Sequence, residues 1–255
     1  STAVGRQIGE TCGGLLKKAA LELGGNNALV VLDDADLEVA SSCAAWGAFL
    51  HQGQICMQTG RHLVHRKVAD RYAELLARRA ANLVTGDPAA GPVHLGPLIN
   101  ERQAAKVEDI VRRSVSMGAR VLAGGKRNGL FFEATVLDGV TPDMPVFTDE
   151  IFGPVAPITV FDTDEEAIAL VNSSPYGLAA AVHGTSIPRA LAVAAKLRAG
   201  MVHINDQTVN NEFQVPFGGM GASGNHGRFG GPASFDEFTQ SQWISVMNQG
   251  IQYPF

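Results

Sequence analysis

Two side chains in the first quarter of the chain have types and settings suited to covalent chemistry. Cys56 sits in Gly53-Gln54-Ile55-Cys56-Met57-Gln58-Thr59-Gly60-Arg61. Glycines on both sides let the backbone approach a ligand, and a loop placement leaves the sulfur accessible. A thiol so placed can act as a nucleophile, although burial as a small apolar side chain is the commoner fate of a lone cysteine. Glu22 lies between two leucines in Leu21-Glu22-Leu23-Gly24-Gly25-Asn26-Asn27. Apolar neighbours strip water from a carboxylate, raise its pKa and suit it to general-base work. Taken alone, a surface glutamate just ahead of a strand is the simpler reading. A third feature is Asp149-Glu150-Ile151-Phe152-Gly153-Pro154, which follows Pro142 and Pro145 and is expected in an ordered loop. Glu150 could accept hydrogen bonds from sugar hydroxyls and Phe152 could stack on a ring, against the alternative of a solvated acidic turn with a core phenylalanine.

Other constellations carry less. Gly219-Met220-Gly221-Ala222-Ser223-Gly224 matches the dinucleotide fingerprint G-x-G-x-x-G, but Pro216-Phe217 stands where the preceding strand should run and too little chain follows for a full nucleotide-binding unit. Ser223 is not in G-x-S-x-G, so there is no nucleophile elbow. His62 and His65, three apart on an apparent strand, point to opposite faces without a ligand partner at metal spacing, and no metal site is expected. Cys12 and Cys43 lack the glycine-flanked setting, and Cys43 lies among helix-core alanines.

The elements that must position these groups follow from apolar spacing. Ala28–Leu32 is a buried-strand pattern bounded by Asn26-Asn27 and Asp33-Asp34. Leu37, Ala40, Ala44 and Phe49 fall on helical spacing behind acidic N-terminal residues, and Arg61–His65 reads as the next strand. A strand of five or six residues spans roughly 18 Å and the return helix roughly 20 Å. The segment before the strand and the segment after the helix therefore meet at one edge, which brings Glu22 and Cys56 together. Further helices are expected over Val68–Arg79, Ala104–Val115, Thr163–Val171 (opened by a capping box) and Arg189–Leu197. Strands are expected at Arg120–Leu122, Ala156–Phe161, Leu178–Val182 and Met201–Ile204. This alternation predicts an α/β fold with a largely parallel sheet flanked by helices. Pro216–Gly231, dense in glycine, must be a tightly folded loop where backbone closely approaches something. Ser234-Phe235-Asp236-Glu237 matches a second capping box, and the tail Gln242–Phe255 is too small for a core of its own and is expected to dock elsewhere.

The 255 residues carry a net charge of −5, are 45% hydrophobic and only 18% charged, and contain three cysteines. Apolar content suffices for a sizeable core, and the scattered glycine and proline exclude a collagen-like or disordered chain. The mildly acidic balance, without a Lys/Arg stripe, argues against nucleic acid or an anionic membrane as partner. No apolar run is long enough to span a bilayer. The odd cysteine count suggests a reducing compartment such as the cytoplasm. Because the chain opens Ser1-Thr2-Ala3-Val4-Gly5 without an initiator methionine, it is expected to be the interior of something longer.

The joint pattern resembles the aldehyde dehydrogenase superfamily, over its C-terminal portion. Leu-Glu-Leu-Gly-Gly-Asn around Glu22 and Gly-Gln-Ile-Cys around Cys56 look like its two active-site signatures, at the family's separation of 34 positions. Glu150-Ile-Phe-Gly-Pro-Val, Pro175-Tyr-Gly-Leu-Ala, Gly200-Met-Val-His-Ile-Asn205 and Pro216-Phe-Gly-Gly-Met-Gly-Ala-Ser-Gly match in order. Ser1-Thr2-Ala3-Val4-Gly5 resembles the phosphate-contacting segment, and Asn26-Asn27 with Gly224–Gly231 is similar to the benzaldehyde and vanillin dehydrogenase branch.

The resemblance implies NAD(P)-dependent oxidation of an aldehyde, aromatic by the branch, with NAD favoured over NADP. Cys56 would attack the aldehyde to give a thiohemiacetal, its oxyanion held partly by the Cys56 N–H. Hydride would pass to the nicotinamide, and Glu22 would activate water against the resulting thioester. Glu150 and Phe152 would hold the nicotinamide ribose side, Ser1 and Gly5 the phosphate side, and Leu23 and Gly24 would approach the nicotinamide through backbone. Asn205 would support the loop carrying Glu22 or Cys56. The implied organisation is a cofactor-domain remnant (1–20), a catalytic domain (21–225), a segment returning to the cofactor domain (226–241) and an oligomerisation tail (242–255), in a homodimer or homotetramer. Gln58 stands where the family has a small residue, so the substrate tunnel is expected to be lined differently; Asn26 replaces a frequent lysine. A Rossmann-like half expected upstream carries the remaining cofactor contacts, so this chain alone is expected to have negligible dehydrogenase activity. Two alternatives stay open: cofactor-free esterase chemistry at Cys56 and Glu22, and a non-catalytic assembly role.

Overall fold

Alternating side chains of a single strand feed two separate cores. Ala28, Val30 and Leu32 belong to one apolar cluster and Leu29 and Val31 to the other, as period-2 side-chain alternation requires of a strand covered on both faces. The computed structural model describes residues 1–255. Helix α1 (Thr2–Gly14) leads to β1 (Asn27–Val31), α2 (Leu37–Phe49), β2 (Thr59–His65), α3 (Ala69–Ala81) and α4 (Glu101–Ser116). Strand β3 (Arg120–Ala123), the small pair β4 (Arg127–Asn128) and β5 (Phe131–Phe132), and β6 (Thr135–Asp138) follow. Next come α5 (Pro145–Thr148), β7 (Val155–Phe161), α6 (Asp164–Asn172), β8 (Tyr176–Gly177), β9 (Ala179–His183) and α7 (Ile187–Ala194). The chain closes with β10 (Met201–Ile204), β11 (Met220–Gly221) and α8 (Ala233–Phe238).

Seven strands form one sheet in the order β10-β9-β1-β2-β7-β6-β3, parallel throughout except for the antiparallel β3–β6 pair. Helices α2 and α3 cover one face through Ala40, Ala44, Ala48, Tyr72 and Leu76. Helices α4, α6 and α7 cover the other through Val107, Ile110, Ala167, Val171, Ala190 and Val193. The α/β fold with a mostly parallel sheet is as the apolar spacing predicts. The Asp36 carboxylate caps α2 at Glu38 and Val39, and Thr163 caps α6 at Glu166, whose carboxylate reaches back to Asp162 N–H.

Two local expectations change. The helix expected over Arg189–Leu197 is α7 at Ile187–Ala194, because Pro188 fits a first turn and the last residues relax into turns. Ser234 does not cap α8. Its hydroxyl accepts from Gly230 N–H, and Pro232 occupies the cap position without a side-chain bond. The tail 242–255 forms no helix or strand and leaves Trp243, Ile244, Val246 and Phe255 exposed. No helix is long and apolar enough to cross a membrane.

Candidate active site

Because β1, β2 and β7 are adjacent and parallel, the segments that precede them meet at one sheet edge. Those segments carry Glu22, Cys56 and Glu150. Together with Ser1, Leu23, Gly24, Gln103, Lys106 and Phe152 they line one cleft of about 330 Å³. Larger grooves of about 440 and 370 Å³ lie elsewhere and contain none of these groups.

The glycine-dense segment explains how Glu22 is held. Leu23 N–H donates to Ser223 O (3.0 Å), Glu22 bridges Gly224, and Leu21 N–H donates to the Asn225 amide oxygen (3.0 Å). The loop is closed on itself by paired backbone bonds between Phe217 and Phe229, with ring centroids 5.3 Å apart. What this backbone approaches tightly is thus the strand-like stretch carrying Glu22. One carboxylate oxygen, Oε2, is buried without a hydrogen-bond partner. Burial pushes the Glu22 carboxyl above its ordinary pKa, partly offset by the Gly219 N–H and the Arg228 charge.

Cys56 follows a turn in which His51, Gln52 and Gly53 are all left-handed, with φ of 51°, 58° and 68°. Burial pushes its thiol up, the Glu22 charge adds to this, and the N–H groups of Met57 and Cys56 directed at the sulfur act the other way. Those amides are free to face the sulfur because the neighbouring carbonyls are held elsewhere. Asn27 Nδ2 donates to Cys56 O (2.8 Å) and Gln58 O (2.7 Å), and Thr208 Oγ1 donates to Met57 O (2.6 Å). Asn27 Oδ1 accepts from Ala179 N–H (2.9 Å), so the clamp is itself fixed by β9. Gly25 permits the contact between the Glu22 and Cys56 segments: a Cβ there would stand 2.3 Å from Cys56 O.

The third loop is held the same way. Lys106 Nζ donates to Glu150 O (2.6 Å), Gln103 Nε2 to Ile151 O (2.9 Å) and Phe152 O (2.8 Å), and Gln58 Nε2 to Gly153 O (2.5 Å). Phe152 itself is left-handed (φ 56°). The Glu150 side chain accepts from Gly25 N–H (2.8 Å), tying this loop to the one bearing Glu22.

Sequence reasoning brings seven of its nine site residues to this cleft: Ser1, Glu22, Leu23, Gly24, Cys56, Glu150 and Phe152. Gly5 is instead buried under the Leu23 side chain, where it lets α1 pack close. Asn205 sits beyond the opposite end of β10, paired in both directions with Gly184 (2.9 and 3.0 Å). It touches neither the Glu22 nor the Cys56 loop; the support expected of it comes from Thr208, three residues on. Gln58 does not line the cleft. It is 4% exposed and serves as an internal bracket. Asn27, Gln103, Lys106 and Thr208 were missed. Asn26-Asn27 at the head of a strand buried on both faces was the available signal, since such amides need partners. His62 bonds Tyr72 Oη (2.8 Å) and is held neutral by burial, its pKa pushed down to about 3, while His65 packs edge-on to Phe161.

Residues 1–244 match the aldehyde dehydrogenase family. Among curated proteins the chain is 63% identical over 255 residues to benzaldehyde dehydrogenase [NAD(+)] of Pseudomonas putida, covering all of this chain and 52% of that protein. It is 50% identical over 256 residues to vanillin dehydrogenase of an Amycolatopsis strain, covering 53% of it. Among solved structures, salicylaldehyde dehydrogenase of Pseudomonas putida G7, complexed with salicylaldehyde, superposes with a TM-score of 0.95 at 40% identity, over all of this chain and 53% of that one. Glyceraldehyde-3-phosphate dehydrogenase GapN of Methanocaldococcus jannaschii, complexed with NADP, gives 0.88 at 38% identity over 93% of this chain and 51% of its own. The chain thus spans about half the length of the curated relatives it matches. Family match, fold and the ordered motifs agree, and this chain belongs to the aldehyde dehydrogenase family.

Proposed function

We propose that this chain carries the nucleophile and general base of NAD(P)-dependent oxidation of an aromatic aldehyde to its carboxylic acid. The observation that carries the reading is the convergence of Cys56, Glu22 and Glu150 on one cleft, with a buried, unpartnered carboxylate oxygen on Glu22. The similarity to benzaldehyde, vanillin and salicylaldehyde dehydrogenases supports the aromatic substrate.

The cleft residues fit a nicotinamide nucleotide. Glu150 offers carboxylate oxygens to sugar hydroxyls, Phe152 an aromatic face, and Gly24 an open backbone, where a Cβ would stand 2.5 Å from Glu150 Oε2. Ser1, at the start of α1, borders the same cleft. When bound, the nicotinamide supplies the hydride acceptor; NAD is favoured by the benzaldehyde dehydrogenase relative. Cys56 Sγ attacks the aldehyde carbon, and the Cys56 N–H stabilises the oxyanion of the thiohemiacetal. Glu22, its carboxyl pushed up by burial and so a stronger base than an ordinary glutamate, draws a proton from water for hydrolysis of the Cys56 thioester. The Gly219 N–H and the Arg228 charge act against that rise and favour the carboxylate form.

The proposed organisation is a cofactor-domain piece (1–20), a catalytic unit (21–225), a returning segment (226–241) and an oligomerisation tail (242–255) in a cytoplasmic homodimer or homotetramer. Exposed apolar side chains along the tail support its role in assembly. Deletion of 242–255 with an unchanged mass by light scattering would remove that part. NADH formation from benzaldehyde by the chain, alone and joined to the half its relatives add, tests the reaction. A rate unaltered by Cys56→Ala would refute the nucleophile.

A further inference from the structure

The three segments that form the site are joined pairwise, and each pair by a different kind of contact. Asn27 ties the Glu22 strand to the Cys56 loop through two carbonyls. The Glu150 carboxylate ties its own loop to Gly25 N–H. Between the Cys56 loop and the Glu150 loop, one side chain makes the connection. Gln58 Nε2 donates to Gly153 O (2.5 Å) and to Ala48 O (3.3 Å), the latter at the end of α2. Its main chain is fixed on both sides, since Gln58 N–H donates to Ile55 O (3.0 Å) and Gln58 O accepts from Asn27. The amide therefore cannot drift without moving the residues beside Cys56. Its surroundings are built for the contact: at left-handed Gly53 a Cβ would stand 2.2 Å from Gly153 O and 2.6 Å from Gln58 Nε2. Any other residue at 53 would force the two loops apart.

We infer that Gln58 is a positioning residue that holds the Glu150–Phe152 loop in register with the Cys56 loop, so that the cofactor-facing carboxylate and the nucleophile sit at a fixed separation. The inference rests on the function proposed above and adds a residue to it. Gln58 does not line the cleft; it acts through Gly153 O. Losing it leaves Cys56 clamped by Asn27 and Thr208 and frees the other loop. The defect should therefore fall on nucleotide binding rather than on the thiol.

Two variants test this. Gln58→Met keeps the volume and removes the donor; Gln58→Ala leaves room for a water to satisfy the two carbonyls, so it folds even where the first does not. In the full chain, amide exchange at residues 150–153 should quicken by about fivefold to tenfold, as expected for one lost bond. Exchange in Ala28–Leu32 and Cys56 alkylation by iodoacetamide should change by less than about threefold. In the enzyme turning over benzaldehyde, the KM for NAD should rise by about fivefold to tenfold with kcat within about threefold, a split that general destabilisation does not produce. Unchanged exchange at 150–153 in both variants overturns the inference. So does quickened exchange with an unchanged KM for NAD. A wild-type protein forming no NADH defeats the functional reading instead, and the exchange measurement still decides for or against the bracket.

Discussion

At the edge where β1 and β9 end and α6 begins, charge meets charge. Arg189 contacts Asp33 and Asp164 at 2.6 Å each and Asp34 at 3.6 Å, and Lys67 adds a bond to Asp33 at 3.1 Å. At the edge where β1, β2 and β7 begin, the loops are held instead by side chains bonding to backbone carbonyls. Four of these, Asn27, Gln58, Gln103 and Thr208, are uncharged, and Lys106 is the exception. The outcomes are opposite. Asp33 is driven far below the usual carboxylate range by Arg189 and Lys67, whereas Glu22 and Cys56 are both pushed up. Charged groups near Glu22 and Cys56 do shift them, Arg228 lowering the one and Glu150 raising the other, whereas the neutral amides hold the carbonyls without adding a charge.

The contrast breaks most visibly at Cys56, the proposed nucleophile. Cys56→Ala should lower benzaldehyde-dependent NADH formation by roughly four orders of magnitude or more, with the melting temperature moved by only a few degrees. Glu22→Gln should lower kcat by roughly 10²- to 10⁴-fold, the usual weight of a general base, measured in the same assay. At the far edge, Arg189→Met should destabilise the fold by about 1–2 kcal/mol in urea melts, a modest figure because the cluster is a third exposed and screened. It should leave Cys56 alkylation unchanged. The sign with pH follows from Asp33. Its folded pKa is depressed, so its stabilisation is complete above the unfolded value of about 4 and is lost as pH falls below it. The gap between wild type and Arg189→Met should therefore close on acidification. The smallest effect belongs to Asn205→Ala, which removes two bonds to Gly184 at about 1 kcal/mol and should not alter Cys56 alkylation.

The edge carrying Glu22 and Cys56 was legible in the sequence because it rests on period and spacing. Ala28–Leu32 and the Leu37–Phe49 helix are local patterns, and a strand–helix crossover returns the chain to the edge it left, so Glu22 and Cys56 had to meet. Gln58, Asn27 and Thr208 were not legible as braces. Their partners lie 95, 29 and 151 positions away, and an amide in sequence gives no sign of which carbonyl it will meet. The placement of Asn205 is hidden for the same reason: the motif match carries no direction, and parallel β10 takes the residue to the opposite edge. Gly5 lies under Leu23 and outside the cleft lining, a placement hidden in sequence because a glycine beside a cofactor and a glycine under a leucine are identical until packing is known.

Glu22 and Cys56 share one field at the edge where β1, β2 and β7 begin. The rate of iodoacetamide alkylation at the Cys56 peptide, followed against pH in wild type and Glu22→Gln, measures it on this chain without cofactor or substrate. With burial and the Glu22 charge both opposing the thiolate, the wild-type inflection should lie above the ordinary thiol value of about 8.5. Glu22→Gln should move it down and speed alkylation at pH 7.5. Identical profiles in the two proteins, or a wild-type inflection below the ordinary value, would show that Glu22 does not act on Cys56.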